Sequence, residues 1–138
     1  MVDVVDKATR SRMMSGIRAK NTQPELQVRS LLHRAGLRFR LHRRDLPGKP
    51  DLAFIKRRVA VFVNGCFWHQ HVGCEMAAVP KTNKKFWQQK LSGNVARDRK
   101  IRARLRKYGW HAFTIWECEI NKHGLDKLLS KIERVANG

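Results

Sequence analysis

The chain is 138 residues long, enough for one domain with a real hydrophobic core and no net of disulfides. Its 30 Lys+Arg against 11 Asp+Glu give a formal net charge of +19, a field that gathers polyanions and points to nucleic acid as the partner. No run approaches the ~20 apolar residues of a membrane-spanning helix, the early acids of "MVDVVDKATRSRMM" do not fit a signal peptide, and three cysteines do not fit a disulfide framework, so a cytoplasmic protein with metal-bound or free thiols and no membrane partner is expected.

In chain order, "DKATRSRMMSGIRAK" places Met13, Met14 and Ile17 near one helical face among Lys7, Arg10, Arg12, Arg18 and Lys20, a basic arm or short helix over residues 1–20 that precedes a single domain over 21–138. "TQPELQVRSLLHRAG" predicts a helix. Thr22 is the N-cap, Pro24 lies in the first turn, Glu25 stands where a capping box wants it, Val28, Leu31, Leu32 and Ala35 form the apolar stripe, and Gly36 ends it. "LRFRLH", Leu37 to His42, alternates as a strand with one wet face, and "LPGKP" is a turn that delivers Asp51 to the strand "DLAFI". "VAVFVN", Val59 to Asn64, is apolar on both faces and predicts the central strand, joined to the preceding one by a tight turn at "KRR". A helical stretch from about Asn83 to Tyr108 carries Trp87, Leu91 and Val95 on one stripe, with Gly93 a candidate kink or break and Asn94 the cap of a second part. "WHAFTIWE" predicts another strand, and Leu125, Leu128, Leu129, Ile132 and Val135 mark a closing amphipathic helix. The order predicts a mixed sheet flanked by helices, α/β in class or loosely α+β.

The stretch "NGCFWHQHVGC" carries the densest chemistry. Zinc takes four tetrahedral ligands drawn from Cys thiolate and His imidazole, and Cys66, His71 and Cys74 have the C-x4-H-x2-C spacing that wraps a loop around one ion. Cys118, at the end of the strand "WHAFTIWEC", would complete a Cys3His site that uses every thiol in the chain. Singly, each cysteine is better taken as a small buried hydrophobe; jointly, in a polar loop, metal is the better reading. His69 is then spare, a candidate general base beside a rigid loop.

Three acids stand out by position. Asp51 heads a strand and fits a ligand for a hard cation such as Mg2+, which phosphodiester hydrolysis uses to neutralise phosphoryl charge. Glu25 either closes its capping box or serves chemistry, and Asp98, the one acid on an apolar helix stripe, is either an arginine's buried partner or a functional group.

"DKATRSRMM", "LPGKPDLAF", "GCFWHQH", "FWQQKLSGNVARDRK" and "GWHAFTIWECE" stand in an order and spacing that resembles the very short patch repair (Vsr) DNA mismatch endonucleases, from about Asp6 to the last helix. The resemblance implies a restriction-endonuclease-like mixed β-sheet core flanked by helices and carrying a structural zinc site. It further implies a monomeric, Mg2+-dependent enzyme that nicks one strand of double-stranded DNA beside a T:G mismatch left by deaminated 5-methylcytosine, acting in the cytoplasm on the nucleoid. Carried over residue by residue, it implies that Asp51 binds magnesium, completed by the backbone carbonyl of Val63, that Glu25 acts through a water on that metal, and that His69 is the catalytic base associated with Asp98. Cys66, His71, Cys74 and Cys118 match the zinc ligands; Phe67, Trp68 and Trp87 match the aromatics that wedge into the base stack, and the N-terminal helix, with Arg10, Arg12 and Met14, is expected to lie in the groove. There are departures: Asn64 stands where the family often has His, Val63 replaces a Thr, and the loop "HQHVGC" is one residue longer, which leaves open whether His69 or His71 meets the zinc. An Asn amide at position 64 donates a hydrogen bond but does not titrate near neutral pH. The alternative reading is a zinc-stabilised, non-catalytic binder of distorted duplex nucleic acid, which charge and zinc suit equally; the catalytic acids separate the two.

Overall fold

The computed structural model describes residues 22–135. The basic arm expected over residues 1–20, with Arg10, Arg12 and Met14, lies outside the described residues.

Helix α1 (Gln23–Arg34) starts as its sequence dictates: the Glu25 amide donates to the Thr22 hydroxyl at 3.3 Å, Pro24 occupies the first turn, and the chain turns away through Gly36 at φ 82°. Such a cap contributes ~1 kcal/mol. The other half of the expected capping box does not form, because the Glu25 side chain points into the protein and is buried with Val28 and Leu32.

Four strands follow, β1 (Arg40–Leu41), β2 (Leu52–Phe54), β3 (Val59–Asn64) and β4 (His111–Trp116), in one sheet of order β1-β2-β3-β4. β1, β2 and β3 pair antiparallel while β3 and β4 run parallel, so the sheet is mixed and β3 is interior. The strand expected over Leu37 to His42 is shorter than its alternation predicts: only Arg40 and Leu41 pair. Phe39 turns onto the core, 5.8 Å from the Phe54 ring, and His42, at φ 48°, ends the strand while its amide still donates to the Asp51 carbonyl at 3.2 Å.

Helix α2 (Lys84–Lys107) connects β3 to β4 after a 3-10 turn at Glu75–Ala77, and a second 3-10 turn at Glu117–Glu119 leads to α3 (Lys122–Arg134), whose Asn121 cap accepts from the Gly124 amide at 2.9 Å. α2 runs unbroken through Gly93, contrary to the expected kink or division. Glycine costs a helix only ~1 kcal/mol, and Asn94 is no cap: its amide donates to the Trp68 carbonyl at 3.0 Å, tying α2 to the loop after β3.

Period-two alternation sends the two faces of the sheet to different helices. Val59, Val61, Leu52, Phe54 and Ile115 form one core with Val28 and Leu32 of α1 and Leu128 and Ile132 of α3. Each such side chain contributes roughly 1.5–3 kcal/mol by leaving water. On the other face Phe62, Asn64 and Thr114 meet Asp98, Ile101 and Arg102 of α2. Gly48 of the "LPGKP" turn lies against the same helix: at φ 77° a Cβ there would stand 2.4 Å from Ile101 Cγ2, so only glycine lets this turn, and Asp51 after it, sit so close. Arg57, in the β2–β3 turn, donates to the carbonyls of Ile132, Glu133 and Val135 at 3.2, 3.3 and 2.8 Å and so caps the end of α3. Among the described residues no helix is long and apolar enough to cross a membrane.

Candidate active site and metal centre

The parallel register brings together a candidate metal centre. β3 and β4 pair from Val59↔His111 to Asn64↔Trp116, so Cys66 and Cys118 each stand two residues beyond the last paired position and leave the sheet side by side. The loop between Cys66 and Cys74 then folds on its own hydrogen bonds: His69 N–H to Gly65 O at 3.1 Å, His71 N–H to Cys66 O at 2.9 Å, and Cys74 N–H to His71 O at 3.2 Å. Gln70, at φ 51°, braces it by donating to the carbonyls of Phe67 and Ala77 at 2.7 and 3.0 Å, while the Cys66 amide donates to the Glu117 carboxylate at 3.1 Å.

The outcome is one ligand atom from each of Cys66, His71, Cys74 and Cys118, all within 4.8 Å of one another. His71 Nδ1 stands 3.7 Å from the Cys66 sulfur and 3.4 Å from that of Cys118, and its ring stacks on Trp116 at 4.3 Å with a 6° interplanar angle. A tetrahedron with bonds of ~2.3 Å to sulfur and ~2.0 Å to nitrogen has N–S edges of ~3.5 Å, so the spacing fits a thiolate- and imidazole-binding cation. Burial above all, with Cys118 and Cys74 adding, pushes the Cys66 thiol up to about 12. A cation is what would turn this thiol cluster into thiolates. His71, not His69, joins the cysteines.

His69 points elsewhere. Its Nδ1 lies 2.6 Å from Asp98 Oδ2, so the carboxylate accepts the Nδ1 proton and leaves Nε2 as the ring's basic atom. The odd acid on the α2 stripe is therefore the histidine's partner, not an arginine's. Asp51 stands in reach of the same region: its Oδ2 accepts from the Val63 amide at 2.7 Å, and burial first, with the charge of Glu25 and a hydrogen bond to it adding, raises its carboxyl to about 7 while Val63 and His69 pull the other way. Glu25, buried to 1 % exposure, gives Oε2 to Arg29 and to His42 Nε2, the latter at 2.8 Å. Glu25, His42 and Asp51 offer ligand atoms within 4.8 Å of one another, a second group able to hold a cation. Two carboxyls this close, one pushed towards neutrality for want of a counter-charge, suit a hard divalent ion.

Asn64 is buried and lines a narrow cleft with Asp98, Ile101 and Arg102, which sets it on the His69–Asp98 side of the site. The three aromatics singled out in the sequence come together: Phe67 to Trp68 at 5.1 Å, Phe67 to Trp87 at 5.4 Å and Trp68 to Trp87 at 5.9 Å between ring centroids. All three are half-buried, and Phe86, 47 % exposed, abuts Trp87 at 5.2 Å. Sequence reasoning missed His42, Gln70 and Glu117. Only His42 left a trace, as the sole imidazole at the end of a strand pattern otherwise filled by arginines. A larger surface groove lined by His111, Phe113, Lys131, Arg134 and Val135 contains none of these groups.

Comparison with known proteins identifies the family of the chain. A sequence model of the family described as DNA mismatch endonuclease Vsr matches residues 2–75. The chain is 47 % identical over 124 residues to the type II nicking enzyme V.XorIIP of Xanthomonas oryzae pv. oryzae, covering 90 % of each protein. It is 43 % identical over 128 residues to the DNA mismatch endonuclease Vsr of Escherichia coli, covering 93 % of this chain and 80 % of that one, and 37 % identical over 125 residues to the type II nicking enzyme V.NmeAIP of Neisseria meningitidis, covering 91 % and 89 %. With endonucleases as relatives over nearly its whole length, the non-catalytic alternative falls away, and the chain belongs to the Vsr family of DNA endonucleases.

Proposed function

We propose that this endonuclease nicks one strand of duplex DNA beside a T:G mismatch in a Mg2+-dependent reaction, the opening step of very short patch repair on the bacterial nucleoid, working in the cytoplasm as a monomer. The observation that carries the reading is convergence: Asp51 and Glu25, the His69–Asp98 pair and the Phe67, Trp68 and Trp87 cluster all flank the single loop that leaves β3.

In this reading the Cys66, His71, Cys74 and Cys118 centre holds structural zinc and stiffens the loop, within a core of the restriction-endonuclease type. Asp51 and the Val63 carbonyl hold Mg2+, with Glu25 beside them; the ion, when bound, supplies charge neutralisation for the phosphoryl oxygens and the leaving oxygen. His69, oriented by Asp98 through Nδ1, accepts the proton of the attacking water at Nε2. Asn64 lies beside that pair and contributes a hydrogen-bonding amide but no proton transfer near neutral pH. Phe67, Trp68 and Trp87 insert at the mispaired step, where unstacking is easier, while the net charge of +19 and the N-terminal arm, with Arg10, Arg12 and Met14, hold the backbone.

End-labelled duplexes of one sequence, paired T:G or T:A, test this. Asp51→Ala is expected to keep its affinity for the T:G duplex and lose nicking in Mg2+, and the wild-type protein to leave the T:A duplex whole. Full cutting by Asp51→Ala would move the active site elsewhere, and equal cutting of both duplexes would remove the mismatch from the reading.

A further inference from the structure

His42 links the two carboxylates of the site. Its backbone amide donates to the Asp51 carbonyl at 3.2 Å, and its ring Nε2 stands 2.8 Å from Glu25 Oε2, so one residue fixes the chain at Asp51 and the side chain at Glu25. It does so at φ 48°, a left-handed conformation that a residue with a Cβ keeps only where its surroundings hold it. Arg29, one turn along α1 from Glu25, donates to the same Oε2 and lies 3.5 Å from the His42 ring nitrogen. Glu25 is almost fully buried, whereas Arg29 and His42 each keep 19 % of the side chain exposed, so the buried acid is gripped from its solvent side by two basic groups. Both reach the same oxygen, Oε2. Oε1 takes a contact from neither of them, and the Glu25 and Asp51 carboxyls offer ligand atoms within 4.8 Å of one another.

We propose that His42 is a positioning residue of the catalytic centre, which together with Arg29 fixes Glu25 so that its second oxygen serves the cation site beside Asp51. The inference rests on the reading of Asp51 and Glu25 as the cation-binding pair. Hydrogen-bond partners of metal-binding carboxylates set their orientation, and their loss lowers metal affinity or activity about 10–100-fold. What the role demands is a donor at the position of Nε2, not an imidazole as such. Glutamine carries its amide nitrogen at the same distance from the backbone as His Nε2, whereas phenylalanine keeps the ring and removes the donor.

The test compares His42→Phe and His42→Gln with the wild-type protein, each carrying its Cys/His-bound metal. Three quantities are measured: Mn2+ binding by electron paramagnetic resonance without DNA, single-turnover nicking of a T:G duplex in Mg2+, and affinity for that duplex without divalent cation. His42→Phe is expected to bind Mn2+ and nick about tenfold more weakly with duplex affinity within about twofold, and His42→Gln to stay within about threefold of wild type throughout. Wild-type behaviour of His42→Phe overturns the proposal, as does an equal loss in His42→Gln. Should the Phe variant lack a cooperative thermal transition, His42→Ala replaces it under the same criteria. Glu25→Gln, run in parallel, separates the two levels: if it binds Mn2+ and nicks normally, the reading of Glu25 itself fails, and if it is crippled while His42→Phe is normal, only the role of His42 fails.

Discussion

Asp51→Asn should stabilise the cation-free protein, and do so in a pH-dependent way. The Asp51 carboxyl is raised from 3.8 to about 7, chiefly by burial. Between those two values the folded chain holds a proton there that the unfolded chain has released, so the free energy of unfolding falls as pH rises from about 4 to about 7 and levels off beyond. Roughly three pH units at ~1.36 kcal/mol each set an upper bound of about 4 kcal/mol lost by pH 8. Asparagine removes the titration yet keeps an oxygen to accept the Val63 amide. The variant should therefore match wild type near pH 4 and exceed it by up to about 4 kcal/mol at pH 8, at most about 14 °C in Tm for a domain of this size. Urea and thermal unfolding at several pH values would show this, in buffer free of Mg2+ and of chelators that strip the Cys/His centre. Added Mg2+ should stabilise the wild type and narrow the gap, leaving Asp51→Asn unmoved. A gap that ignores pH, or a variant weaker than wild type at pH 8, would refute the account of Asp51 as a buried acid waiting for a counter-ion.

Two further outcomes follow from the same geometry. Metal analysis should find about one Zn2+ per wild-type chain and none in Cys118→Ser, which should also unfold at lower denaturant because the loop loses its anchor to β4. Asp98→Asn should slow nicking about 10²-fold or more while duplex affinity holds, since the hydrogen bond to His69 Nδ1 persists but the carboxylate charge beside the ring is gone; a variant that cuts at full rate would show that His69 does not depend on the Asp98 charge.

Much of this was legible in the sequence wherever a signal was local. Thr22, Pro24 and the Val28–Leu32 stripe announce α1 because cap and core face lie within one short segment. Val59 to Asn64 shows itself as an interior strand because both its faces are apolar. Asp98 stands out as an acid among apolar neighbours, though its partner stands 29 positions away on the loop. What stayed hidden depends on partners distant in the chain. β1 is only as long as its two pairs with Leu52 and Ala53 of β2, and the Glu25 side chain is drawn from its capping box by His42, 17 positions on. Gly93 and Asn94 read as a break only while the Trp68 carbonyl, Asn94's actual partner, is out of view.

The parallel pairing of β3 with β4 also bears on how the cysteine loop tolerates drift in length. Cys66 and Cys118 are set by strand ends and His71 by its stacking on Trp116, so three of the four ligands answer to the sheet. Between His71 and Cys74 lie only Val72, 93 % exposed, and Gly73, at φ 76° with open space around it. An insertion there bulges into water and disturbs only the turn from the His71 carbonyl to the Cys74 amide, leaving the strand-end cysteines and the His69–Asp98 pair in place. One added in the Ile55–Arg58 turn would instead offset β3 against both neighbours and pull the thiols apart.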